Sequence, residues 1–153
     1  AQDTHTARIS VLNVKNVPGV AHMVFETLAD EHIDVDMIVQ SVQRSNDDLT
    51  DIIFTITDTD LGDARRVLGE LQSQGKLTTI IYDDNMAKVS IVGAGMLGTP
   101  GVAARMFGAL GRGGVNILIV STSEISVSCL INRDDVAKAI QSIHEEFWGN
   151  KTV

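Results

Sequence analysis

The tetrapeptide Pro-Gly-Val-Ala occurs at Pro18–Ala21 and again at Pro100–Ala103, each time between a strand-like run and a helix-like run. A shift of 82 positions also lays Phe25 on Phe107, Leu28 on Leu110, Asp34 on Asn116 and Val35 on Ile117. Upstream, Ala7-Arg8-Ile9-Ser10-Val11 faces Ala87-Lys88-Val89-Ser90-Ile91. Self-similarity at a fixed period dictates architecture, and two copies of about 80 residues mean a tandem domain rather than a solenoid. The chain of 153 residues has room for two such small units.

Residue periodicity orders the elements. Residues 7–14 alternate as a strand with Ile9 and Val11 on one face. A helix is predicted to start at Pro18, where a missing N–H costs nothing. Its stripe is Val20, Val24, Leu28 with Ala21, Phe25, Ala29. Residues 35–42 and 51–57 follow as strands around a polar turn at 44–48. Asp58–Asp60 lead into a helix carrying Leu61, Ala64, Val67, Leu68 and Leu71, which stops near Gly75. Residues 77–82 close the unit as a strand. The second unit repeats the order with strand 87–93, helix 100–112, strands 115–122 and 124–132, and helix 134–147.

Each unit therefore reads β-α-β-β-α-β, an α+β ferredoxin-like arrangement with helices on one face of an antiparallel sheet. The expected domains are residues 7–84 and 87–153. Only Gly149–Val153 follow Trp148, too few and too polar for a strand, so the last strand of the second unit is expected to come from residues 1–6 or from chain beyond this sequence, because an open edge invites pairing.

Composition excludes several function classes. A net charge of −8 opposes nucleic-acid binding, which needs clustered Lys and Arg. No apolar run approaches the length of a membrane helix, and the N-terminal residues lack a signal pattern, so a cytoplasmic protein is expected. The one cysteine, Cys129, is expected to be a buried strand thiol. His5, His22, His32 and His144 are scattered, and the pairs Asp47-Asp48, Asp83-Asp84 and Asp134-Asp135 are expected in turns and helix starts, so no metal site is predicted. No catalytic constellation and no cofactor motif stands out. Gly93-Ala94-Gly95-Met96-Leu97-Gly98 imitates a dinucleotide fingerprint, but its helix starts late, at Thr99–Pro100, and no acidic residue stands about 20 positions on. The best candidate for binding is the duplicated turn, where Gly19, Val20 and Ala21 offer backbone N–H groups to a carboxylate.

The run Lys88-Val89-Ser90-Ile91-Val92-Gly93-Ala94-Gly95-Met96, with Ser121-Thr122-Ser123-Glu124-Ile125, resembles the regulatory region of bacterial aspartate kinases. So do Asp34-Val35-Asp36-Met37-Ile38-Val39-Gln40, Tyr82-Asp83-Asp84 and His144-Glu145-Glu146-Phe147. That family's regulatory part is a pair of ACT domains whose sheets lie side by side, while the kinase chemistry resides in a separate domain that nothing here resembles. The resemblance implies a non-enzymatic regulatory part that binds L-lysine, L-threonine or both at the interfaces between ACT domains, for feedback inhibition of the first step of aspartate-family amino-acid biosynthesis. It also implies a homodimer through the ACT domains and partnership with a catalytic domain or α subunit. Carried over by position, the effector contacts are Asn16, Gly19, Val20, Ala21, Asp34, Val35, Asp36, Gln40, Asn116 and Ile117. Asn16 and Leu118 stand where relatives often have Asp and Glu. The alternative is an oligomerisation module that ignores amino acids.

Overall fold

A computed structural model describes residues 2–42, 48–93 and 100–149. It divides into two units, one of His5–Asp84 and one of Ala1–Thr4 with Asn85–Val153. In chain order the elements are β1 (Gln2–Lys15), α1 (Val20–Asp30), β2 (Ile38–Val42), β3 (Leu49–Thr57), α2 (Leu61–Ser73), β4 (Thr79–Val92), α3 (Val102–Arg112), β5 (Ile119–Thr122), β6 (Ser126–Asn132) and α4 (Val136–Trp148). Short 3₁₀ turns at Asp58–Asp60 and Arg133–Asp135 lead into α2 and α4.

In the first unit the strand order is β2-β3-β1-β4, with β3 antiparallel to both β1 and β2. Alternation places Ile9 opposite Phe54 and Val11 opposite Ile52 on the face that meets the helices. The register slips between Val11 and Val14, a bulge at which Asn13 takes φ 58 and donates its N–H to Asp51 Oδ1 at 3.0 Å. Val24 and Leu28 of α1 and Ala64, Val67, Leu68 and Leu71 of α2 complete this core, with Phe25 set edge-on to Phe54 at 5.2 Å. Ala29, expected on that stripe, is exposed.

The second unit has order β1-β4-β6-β5, where β1 contributes its first residues, Gln2–Thr4. Its separate core gathers Ala87, Val89, Ile91, Met106, Leu110, Cys129, Ile131, Ala139 and Ile143. Cys129 is fully buried there, and burial pushes its thiol up to about 11.

Several element boundaries differ from the expected ones. The strands read at 77–82 and 87–93 are one strand, β4, and Asp83-Asp84 lie within it rather than in a turn. The first half of each unit's second strand is not strand at all. Residues 33–37 and 115–118 instead lower Ile33, Met37 and Val115 into the cores before the edge strand begins. Even so, Thr55 exchanges backbone bonds with Asp36 and Met37, and its buried hydroxyl accepts the Met37 N–H at 3.1 Å. Both proline-led helices start two residues later than predicted, at Val20 and Val102. The glycine run from Ala94 to Gly98 and the turn at 44–47 lie outside the described residues.

Candidate functional site

The loop between β1 and α1 is built by one turn. Val20 N–H donates to Val17 O at 3.3 Å, with Pro18 and Gly19 as the two central residues. Gly19 has φ 90 and ψ −7, the third-position geometry of a type II turn, which a side chain disfavours. A Cβ added at Gly19 would meet nothing within 4 Å, so the backbone angle and not crowding selects glycine here. Gly101 repeats the conformation at φ 90 and ψ −3. Each glycine is an N-cap whose carbonyl receives a first helical bond, from Met23 and Arg105 respectively. One correction follows: Val20 N–H is engaged in the turn, so it is not among the open donors expected at Gly19–Ala21.

This turn forms one wall of a cavity of about 450 Å³ in the first unit. Gly19, Val20 and Met23 line one side, and Asn13 and Lys15 from the end of β1 line another. Gly75, Lys76 and Thr78, which follow α2, complete it. The approach of that last segment is a helix-ending motif. Lys76 N–H donates to Leu71 O at 3.0 Å and Gly75 N–H to Gln72 O at 3.1 Å, with Gly75 left-handed at φ 76. The start of α1, with its partial positive charge, and two lysines thus border one concave surface. Asn13, Lys15, Lys76 and Thr78 were not among the expected site residues. The bulge that turns β1 and the α2 terminus that returns to it are tertiary features, and neither leaves a motif in the sequence.

The other expected contacts fall in different places. Asn16 is exposed, and its N–H donates to Asp48 O at 2.7 Å. Ala21 is half-buried in the first turn of α1 and packs on the core, as does Val35. Asp34 and Asp36 are exposed, and Gln40 lies on the edge strand β2 opposite Ile52. None of these six lines the cavity. In the second unit Asn116 is exposed, whereas the half-buried side chain of Ile117 packs against the core.

A second cavity of about 430 Å³ lies between α3 and α4, but its charges answer one another. Glu146 receives Arg105 Nε and Arg112 Nη2, each at 2.9 Å, and the Arg105 hydrogen bond holds its carboxyl below the ordinary value of 4.5. This is a helix-to-helix clasp. Among the described residues no group of three or more His, Cys, Asp or Glu is placed to hold a metal ion. No helix among them is long and apolar enough to cross a membrane.

An ACT domain family model matches residues 9–71 and again residues 89–147. The regulatory subunit of aspartate kinase from Thermus thermophilus, solved in a ligand-free form, superposes with a TM-score of 0.89 at 33% identity, covering 96% of this chain and 95% of that one. The chain belongs to the ACT-domain regulatory region of aspartate kinases. A crystal structure of aspartokinase alpha and beta subunits matches with a TM-score of 0.88 at 39% identity, over 96% of this chain and 95% of its own. The aspartokinase of Corynebacterium glutamicum is 45% identical over 147 residues, or 96% of this chain. The chain spans 35% of that relative's length, and the two ACT repeats account for the shared region.

Proposed function

We propose that this regulatory region senses end-product amino acids, L-lysine, L-threonine or both, and relays their presence to the catalytic part of an aspartate kinase as feedback inhibition. The observation that carries the proposal is the cavity beside the start of α1, where a concave surface meets a helix N-terminus and two lysines. Such a surface suits an α-carboxylate. In this reading the N–H groups of Gly19, which lines the cavity, and of Ala21, which does not, meet the carboxylate, while Asn16, Asp34, Asp36 and Gln40, outside the cavity, offer oxygen acceptors to an α-ammonium. Inhibition requires the ligand to favour one arrangement of the assembly over another, typically by about 1–3 kcal/mol.

Assembly is the second part of the proposal. The edge strand β2 exposes Ile38 and Val39, and an apolar edge with unpaired backbone groups is suited to a second copy of the chain. A homodimer, and its association with a catalytic domain or α subunit, are accordingly proposed.

Calorimetry with L-lysine, L-threonine and an equimolar mixture tests the sensing role. Saturable heat is expected for at least one amino acid at up to millimolar concentration, with weaker binding by Gln40→Ala. The absence of heat and of any thermal shift for all three would refute sensing by this chain. A dimer whose mass and stability ignore every amino acid would instead favour a purely structural module.

A further inference from the structure

Helix α4 buries one stripe of side chains and shows a second stripe that is not simply polar. Ala139 and Ile143 enter the core, and Val136 and Phe147 pack against it. The outward stripe is Ala137, Gln141, His144 and Trp148, spaced by four, three and four residues. All four are exposed, Trp148 by 47%, and Ile140 beside them is 37% exposed. Trp148 is the single tryptophan of the chain, and its ring lies 5.8 Å from that of His144 and 5.9 Å from that of Phe147. A large ring set against its neighbours and half open to water is the residue type that anchors protein contacts.

A hollow borders this stripe on each side. One, of about 780 Å³, is walled by Gln2, Arg133, Val136 and Ile140. The other is the α3–α4 cavity, which Lys138 and Glu145 border. A helical ridge between two grooves is the shape that another helix fits.

The stripe is also complementary to itself. Antiparallel pairing about a two-fold axis between Ser142 and Ile143 sets the small Ala137 of one copy level with Trp148 of the other, and Gln141 level with His144. The indole then has the hollow beside Ala137 to enter. The charges agree with the same arrangement. Lys138, which lies 3.2 Å from Asp135, and Glu145, which accepts Gln141 Nε2 at 3.2 Å, flank the stripe on one side. In an antiparallel pair like flanks meet, so Lys138 of each copy stands within a helical turn of Glu145 of the other. Size and charge thus specify one partner, a second copy of this chain.

We infer that the exposed face of α4 is a self-association surface on which two copies pair antiparallel, each Trp148 seated beside the other copy's Ala137. The contact is separate from the β2 edge and does not depend on amino-acid sensing. One helix pair buries less than the roughly 1,200 Å² of a standard interface, so it associates weakly. It adds a step beyond any dimer formed at β2.

Sedimentation equilibrium over rising concentration tests this surface. The average mass is expected to climb to twice its starting value, and Trp148→Ala should move that step to at least about tenfold higher concentration. Lys138→Glu and Glu145→Lys should each weaken it by about threefold, and the double exchange should restore it. A short bis-maleimide should link Gln141→Cys, close to the axis, into a covalent pair. It should not link Ala137→Cys, whose two copies stand about 16 Å apart along the helices. Cys129 is buried and stays out of the reaction. The substituted positions are exposed, and an unchanged circular dichroism spectrum verifies that each variant is folded. A constant mass, or a double exchange that restores nothing, overturns the inference. A step that Trp148→Ala leaves in place also overturns it and assigns association to another surface such as β2. Trp148 fluorescence that changes only on mixing with an aspartate kinase catalytic domain gives the face to that partner and equally overturns it.

Discussion

Gly19 and Gly101 adopt the same left-handed backbone 82 positions apart, and this is why the turn was copied with its glycine intact. The far ends of the two helices show the same rule with a different outcome. Ile33 N–H closes onto Leu28 O and Val115 N–H onto Leu110 O, each through a left-handed residue. In the second unit that residue is Gly114 at φ 75, and in the first it is His32 at φ 59. His32 is the stop of α1. A side chain in this region costs about 1 kcal/mol relative to glycine. His32→Gly is therefore expected to stabilise the chain by up to about 1 kcal/mol in urea melts, and Gly19→Ala to destabilise it by roughly 1–2 kcal/mol. Equal and negligible effects would contradict the assignment of both positions to backbone strain.

Helices were the most legible elements. The stripe of α2, Ala64-Val67-Leu68-Leu71, is buried as its three-to-four spacing requires. Edge strands were the least legible, because Val35 and Ile117 are apolar for the sake of the core and not for a ladder. The two halves of β4 were read as separate strands because Asp83-Asp84 looked like a turn, although acidic residues can extend a strand where a partner is at hand. Arg8 lies 3.7 Å from Asp83. The α3–α4 clasp gives a pH prediction. Glu146 has a depressed native pKa, so its contribution is present above the ordinary value of 4.5 and lost as pH falls through the lower native value. Thermal melts of Glu146→Gln and the wild type should differ at neutral pH and converge at low pH, once the carboxylate is protonated in both states. A gap that persists at low pH would trace the effect to packing instead.

For the molecule as a whole, the decisive feature is the use of β1. Duplication requires six elements per unit, and among the described residues the second unit has five of its own from Asn85 onward. The first residues of β1 belong with that unit, next to β4 in its strand order. We propose that Gln2–Thr4 serve as its last strand, which makes the domains discontinuous in sequence. Removing residues 1–4 should then lower the stability of the second unit selectively. Hydrogen exchange is expected to accelerate at Lys88 and Ser90 of β4 while Ile53 of β3 stays protected. Uniform protection in the truncated chain would exclude that role.

Much of this protein follows from local rules that a linear sequence states openly. Duplication, element order, the apolar stripes and the glycine turns depend on residues within a few positions of one another, and the family strings depend on identity alone. What required the folded chain is everything that joins distant segments. The bulge at Asn13, the return of Lys76 to the start of α1 and the grouping of Gln2–Thr4 with the second unit are all contacts over long separations. Their geometry is set by how the cores pack, and packing leaves no periodic trace in the order of residues.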